Sequence, residues 1–265
     1  METNRRNWDE RVPIHLKSEF YGLERFKDGE STLYTFELDD LGPVKDCSLV
    51  HLQCHIGLDT LSWARQGASV TGLDFSRPAV EAASALASGL DIPARFVQGN
   101  VYDAVEVLGE TYDVVYTGRG ALIWLPELEP WAQAVSRLLK PGGRFYMHEF
   151  HPITEVFAED SLDVAEDYFH SAEPRRWEGS GTYAEPDAET EHNVSLEWKH
   201  TLGDVVSALA NAGLRIELLR EQNRGSAFRR WPFMVEVAPR EFALPPGLPR
   251  LPLTYTLLAT RPPTA

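Results

Sequence analysis

Residues 48–76, SLVHLQCHIGLDTLSWARQGASVTGLDFS, read as an apolar strand, a tight loop, a helix and a second strand that ends in a carboxylate. Ser48 to Leu52 supplies the first strand, and Gly57 lets the backbone turn sharply into a helix whose Leu58, Leu61 and Ala64 face a sheet. Gly67 ends that helix, and Ala68 to Leu73 forms the next strand. Asp74 then stands at a strand's carboxyl end, where open parallel sheets bind their ligands. A carboxylate there accepts hydrogen bonds from both hydroxyls of a ribose, so a ligand with an adenosine-like sugar is expected.

The alternation continues beyond this unit. Ser76 caps a helix that carries Pro78 in its first turn and stops at Gly89. Ala94 to Gln98 is a third strand leading to Gly99, Asn100 and Asp103, and Tyr112 to Thr117 is a fourth. A helix from about Leu128 to Leu139 is broken by Lys140-Pro-Gly-Gly143, and Arg144 to Phe150 is the fifth strand. Strands and helices in strict alternation imply parallel pairing with right-handed crossovers, hence a doubly wound α/β domain.

Bulk properties narrow the functional classes. With 265 residues, 43% hydrophobic and 25% charged, the chain is long enough for one α/β core plus an insertion. No apolar run approaches the roughly 20 residues that cross a bilayer, and METNRRNWDE lacks an apolar signal core, so a cytoplasmic protein is expected. Cys47 and Cys54 have no metal-type spacing and read as free thiols of a reducing compartment. A net charge of -15 repels phosphate backbones and anionic lipids. The expected partner is therefore a small molecule rather than nucleic acid or membrane, met by a monomer or homodimer.

Tyr112-Asp-Val-Val115, the LLKPGG turn before the fifth strand and Asp74 after the second together resemble the class I S-adenosylmethionine-dependent methyltransferases. The likeness covers roughly residues 45–150 and returns from Thr201 onward, where TLGDVVSALANAG reads as a helix capped by Thr201 and ended by Gly213. It implies a mostly parallel seven-stranded sheet whose last strand, Leu253 to Thr260, inserts antiparallel beside the sixth. It further implies S-adenosylmethionine as cofactor, an N-terminal lid over 1–44, and a methyltransferase domain over 45–265 carrying a substrate-cap insertion at about 151–200. The first loop departs from the family's glycine-rich form. Its HLQCHIGLDT keeps only the last glycine and is similar to the HLQCHxGxDT variant of bacterial small-molecule methyltransferases.

Residue by residue, the resemblance puts Asp74 on the ribose, Phe75 along the adenine, and Asn100 and Val101 at the adenine edge. Thr117 and Gly118 would flank the methionine end, and Gln53, Cys54, His55 and Gly57 would cradle it, helped by the amides of the following helix. His51 is expected either to join that contact or to satisfy a buried hydrogen bond. For methyl transfer the enzyme aligns a nucleophile and takes its proton, and MHEFHP offers His148, Glu149 and His151 as bases. Strand alternation sends His148 and Glu149 to opposite faces. No metal is expected, because H-E-F-H lacks the spacing of zinc hydrolases.

In the insertion, many acids accompany Tyr168, Phe169, Trp177, Tyr183 and Trp198, a mixture suited to a cationic or aromatic acceptor. Trp8, Arg11, His15 and Tyr21 of the lid are further candidates, with Arg11 able to neutralise a carboxylate. Trp231, in FRRWPFMVE, and the proline-rich LPPGLPRLP would form another wall. An NAD(P)-dependent oxidoreductase would use Asp74 in the same way, but G-x-G-x-x-G and a Tyr-x-x-x-Lys pair are absent from the sequence. A non-catalytic nucleotide-binding protein is the third reading.

Overall fold

In a computed structural model, which describes residues 1–169, 171 and 173–263, the strands in chain order are β1 (Ser48–Leu52), β2 (Ser69–Asp74), β3 (Ala94–Gln98), β4 (Tyr112–Thr117), β5 (Leu139–Phe150), β6 (Arg175–Glu178), β7 (Val194–Glu197), β8 (Arg215–Gln222), β9 (Gly225–Ser226), β10 (Val235–Ala238), β11 (Glu241–Ala243) and β12 (Thr254–Thr260). The helices are α1 (Glu2–His15), α2 (Leu23–Lys27), α3 (Thr35–Leu41), α4 (Leu58–Arg65), α5 (Arg77–Gly89), α6 (Ala104–Leu108), α7 (Leu128–Leu138) and α8 (Leu202–Asn211). Positions 264 and 265 of the expected domain lie outside the described residues.

β1 is apolar on both faces because it is central, paired in parallel with β2 and β4. The sheet runs β3-β2-β1-β4-β5-β12-β8, and β12 lies antiparallel to both β5 and β8. This is the seven-stranded, mostly parallel sheet expected from the sequence. On one face Val50, Leu52, Phe145 and Met147 pack against Trp131, Val135, Val205 and Leu209 of α7 and α8. On the other, Leu49, Tyr116 and Tyr146 meet Leu41 of α3 and Trp63 of α4. Alternation along β5 therefore decides what its last residues can reach. Tyr146 and His148 face α3, whereas Phe145 and Met147 face α7 and α8.

Two boundaries differ from expectation. The Lys140–Gly143 turn is taken into the start of β5 as a register shift, with Leu139 opposite Tyr112 and then Arg144 opposite Val114. The stretch 1–44 is not one lid. α1 packs on α5 and β7, whereas α3 packs on β5 and β12, where Leu41 is part of the core. Within 151–200 the regular structure is a two-stranded antiparallel ribbon, β6 with β7. A small sheet ordered β10-β11-β9 fills the connection between β8 and β12.

Candidate active site

A cavity of about 990 Å³ opens at the carboxyl ends of β1 and β4. Its floor is the loop after β1, where Gln53, His55 and Gly57 all take left-handed backbone conformations, with φ of 58°, 48° and 78°. A non-glycine residue held there costs about 1–3 kcal/mol, which marks the loop as a place where function outweighs local strain. Gly57 has no substitute, because a Cβ would come within 2.8 Å of Phe96 and 2.9 Å of Ala83. Gln53 donates to Ala121 O at 2.9 Å, leaving its Oε1 buried without a partner, and Thr117 Oγ1 at the end of β4 is equally unpartnered. Cys54 is a buried thiol pushed well up by burial and lines the cavity with His55 and Gly118.

Asp74 is buried beneath the floor, outside the lining of both cavities. Its Oδ2 accepts from His55 N at 2.8 Å and its Oδ1 from Ser76 N at 2.9 Å, tying the two loops together. Burial nevertheless pushes the carboxyl up to about 6, against the pull of those amides. Phe75 and Asn100 line a second cavity of about 350 Å³ beside Met1, Glu2 and Arg5. Asn100 Oδ1 also accepts from Tyr102 N at 3.1 Å, and Val101 is a core residue.

The expected bases are placed less favourably. His148 is fully buried on the α3 face, outside the lining of the large cavity, with its ring edge-on to Tyr34 and Phe36. Its Nδ1 lies 3.8 Å from Glu37 and 3.4 Å from Arg119. Burial lowers it, so a neutral ring sits in a buried charge cluster. Glu149 does line the cavity, but its carboxylate is spent on backbone amides: Ala121 N at 2.8 Å, Leu122 N at 3.1 Å, Phe150 N at 2.7 Å and Gly120 N. It anchors the loop after β4. His151 Nδ1 accepts from Ile153 N at 3.1 Å, which fixes the neutral tautomer with Nε2–H directed at Glu221, 2.9 Å away. Neither ring nitrogen is left to take a proton.

The cluster around His148 escaped the sequence reading. Arg119 bridges Glu37 at 3.4 Å and Asp59 at 3.3 Å, Tyr116 donates to Glu37 at 2.8 Å, and Thr32 donates to Asp59. Burial alone would raise Glu37, but His148 and Arg119 outweigh it and hold the carboxylate at about 2. His51 is kept neutral by burial, at about 4, with its Nδ1 on Thr60 Oγ1 at 2.8 Å. Acids and bases scattered over 32–148 gave no local pattern that would unite them.

The roof comes from α1 and the β6–β7 ribbon. Asn4 pairs with the backbone of Leu196 as donor and acceptor, at 2.7 and 2.8 Å. Asn7 donates to His192 O, and Glu10 accepts from the amides of Glu191 and His192. This fastening suspends Trp8, Arg11 and Tyr21 over the floor beside Tyr183, Trp177 and Trp198. Trp8 stacks edge-on against His55 and Trp124, and the hydroxyls of Tyr21 and Tyr183 are hydrogen-bonded. His15 stands behind this layer, its Nδ1 2.9 Å from His55 Nε2, held down to about 3 by burial and by Arg11. Two expected pocket residues lie elsewhere. Trp231 is fully buried in a separate core with Met234 and Leu253, its indole donating to Ala158 O, and the Tyr168 hydroxyl accepts from Leu202 N at the start of α8. Phe228, Arg230 and Met234 supply the wall expected of FRRWPFMVE, whereas the proline-rich stretch 244–252 does not line the cavity. Most acids of the insertion, including Glu159, Asp163, Glu173 and Glu185, are solvent-exposed.

Residues 50–143 match the family model of a methyltransferase domain. The ubiquinone biosynthesis O-methyltransferase of Photorhabdus laumondii is 30% identical over 131 residues, 49% of this chain and 53% of that protein. The chain spans about half the length of the curated relatives it matches. An S-adenosylmethionine-dependent methyltransferase structure from Mesorhizobium loti superposes with a TM-score of 0.62 at 21% identity, covering 89% of this chain and 100% of that one. One from Methanosarcina mazei gives 0.57 at 18% identity, covering 88% and 99%. These structures share the fold.

Proposed function

Residues 50–143 being a methyltransferase domain of the class I S-adenosylmethionine-dependent type, we propose that the chain transfers a methyl group from S-adenosylmethionine to an oxygen or nitrogen of a small-molecule metabolite. The carrying observation is the set of unsatisfied groups at the floor and roof. Gln53 Oε1 is an orphaned acceptor on the floor, Thr117 Oγ1 is another just behind the lining at Gly118, and Arg11 faces the cavity from the roof with its Nε buried and unpartnered. An α-amino-acid end supplies ammonium donors for the first two and a carboxylate for the third. Asp74 keeps further lone pairs for ribose hydroxyls, while Phe75 and Asn100 face the small cavity where an adenine would extend. When bound, the cofactor supplies an electrophilic methyl on a sulfonium. Trp8, Tyr21 and Tyr183 present the aromatic faces that favour a cation and exclude water.

The roof covers one side of the cavity, which favours a small acceptor over a polymer, and the acidic net charge argues against nucleic acid and anionic membranes. No helix among the described residues is long and apolar enough to cross a membrane. Among them, no group of three or more His, Cys, Asp and Glu is arranged to hold a metal. A cytoplasmic monomer or homodimer is part of the same proposal. Titration calorimetry with S-adenosylhomocysteine and with NAD tests it: the first should bind and the second should not. Tight NAD binding alone would establish the oxidoreductase reading instead. Binding of S-adenosylhomocysteine without transfer from methyl-labelled donor to any member of a broad metabolite panel would leave a binding protein.

A further inference from the structure

The ribbon over the cavity alternates as strands do, and its inward face carries chemistry. Arg175 lies directly across from Glu197 and Trp177 across from Ser195 in the β6–β7 register, and these four line the large cavity. The intervening Arg176 and Leu196 do not, and Leu196 is the residue whose backbone Asn4 holds. The Arg175 guanidinium rests on the Trp177 ring at 3.9 Å and reaches Glu155 at 3.8 Å and Glu166 at 3.7 Å, so its charge is divided among several partners. The Trp177 indole is near enough for the Glu197 carboxyl to feel it, yet among the described residues its Nε1 meets no group in hydrogen-bonding geometry. Glu197 is thus a lumen-facing carboxyl to which, unlike Glu149, no backbone amide of the described residues donates.

We propose that Glu197 is the general base of the transfer, taking the proton of a phenol-type hydroxyl acceptor seated against Trp177, Tyr183 and Phe228. The inference rests on the methyltransferase reading. Per turnover the acceptor oxygen forms a bond to the methyl carbon as the S–CH₃ bond breaks, sulfur keeping that electron pair. The acceptor O–H breaks, and its proton passes to a Glu197 carboxylate oxygen and from there to water. Three features fit this role. Burial and the nearby Glu155 push Glu197 up to about 7, against the pull of Arg175 on β6 and Arg11 on α1, so it is ionised in an appreciable fraction yet basic enough to accept a proton. A phenol ionises at about 10, as tyrosine does, within reach of such a base, whereas an aliphatic hydroxyl resembles water at about 15.7. The cavity lining sets six arginines and one lysine against six aspartates and glutamates, so no excess of carboxylates favours an ammonium acceptor.

The test uses the full chain as wild type, Glu197→Gln and Glu155→Gln. Infrared titration of the wild type without ligand should show a protonated-carboxyl band that disappears near pH 7. Glu197→Gln should lack it, and Glu155→Gln should shift its midpoint to lower pH. With methyl-labelled donor and catechol as probe acceptor, Glu197→Gln should lose about 100-fold or more in kcat while binding S-adenosylhomocysteine within threefold of wild type. The wild-type kcat should rise through pH 7. A kcat for Glu197→Gln within threefold of wild type, or an unaltered infrared titration in that variant, overturns the assignment. So does a wild type that binds S-adenosylhomocysteine yet methylates neither catechol nor 4-nitrophenol, since it removes the phenol acceptor. Failure of the wild type to bind S-adenosylhomocysteine strikes the methyltransferase reading itself, while the infrared band still reports on Glu197.

Discussion

Asp74 and Glu197 are carboxyls on opposite sides of the proposed site, the first buried beneath its floor and the second half-buried on its roof, and they are held in different ways. On the floor, Asp74 accepts two backbone amides from adjoining loops, in a frame built from neighbouring strands and helices. On the roof, Glu197 rides a two-stranded ribbon that hangs from α1 by side-chain bonds bridging residues nearly two hundred positions apart. A group fixed by amides is positioned to bind, because its lone pairs are oriented before a ligand arrives. A group on a suspended ribbon has a protonation state set by burial and by two or three movable charges, which suits proton transfer.

Substitutions can break this contrast, beginning beneath the floor. Glu37→Ala should leave Arg119 buried with Asp59 as its remaining carboxylate and destabilise the chain by about 3–5 kcal/mol in denaturant unfolding. Because Glu37 stays ionised down to about 2 in the folded chain but protonates at about 4.5 when unfolded, its contribution is full above 4.5 and is lost as pH falls toward 2. A change under about 1 kcal/mol would mean that the cluster does not act as a unit. Glu149→Gln should cost somewhat less, about 2–3 kcal/mol, by confronting amide donors with an NH₂ group, and should raise hydrogen exchange at 120–122. Asn4→Ala should be the mildest, about 1–2 kcal/mol, with exchange protection lost at 194–197 and retained in β1. Equal loss in both places would erase the distinction between floor and roof.

The floor was legible because its signals are local. Gly57, the strand from Ser48 to Leu52 and the acid at 74 lie within one βαβ unit, and period-two and period-3.6 patterns specify their placement. The alternation at His148 and Glu149 was also readable. That His148 would face α3 rather than the cavity was not, because Leu33, Leu41 and Val44 read as lid sequence when they are core. Glu197 was invisible for the same kind of reason. VSLE carries no motif, and its acid becomes distinctive only where the ribbon register sets it opposite Arg175 and α1 covers it. Acids and aromatics along the insertion suggested a cationic or aromatic acceptor, but composition does not tell which side chains turn inward, and those facing solvent are mostly the acids.

The most direct measurement is S-adenosylhomocysteine affinity by calorimetry, for wild type and Asp74→Ala, between pH 5 and 8. Ribose hydroxyls donate best to an ionised carboxylate, so wild-type affinity should fall as pH drops through about 6, where the buried Asp74 takes up a proton. Asp74→Ala should bind about 10- to 100-fold more weakly at pH 8 and lose most of that pH dependence. Equal affinity of the two proteins across the whole range would contradict a ligand gripped at the end of β2.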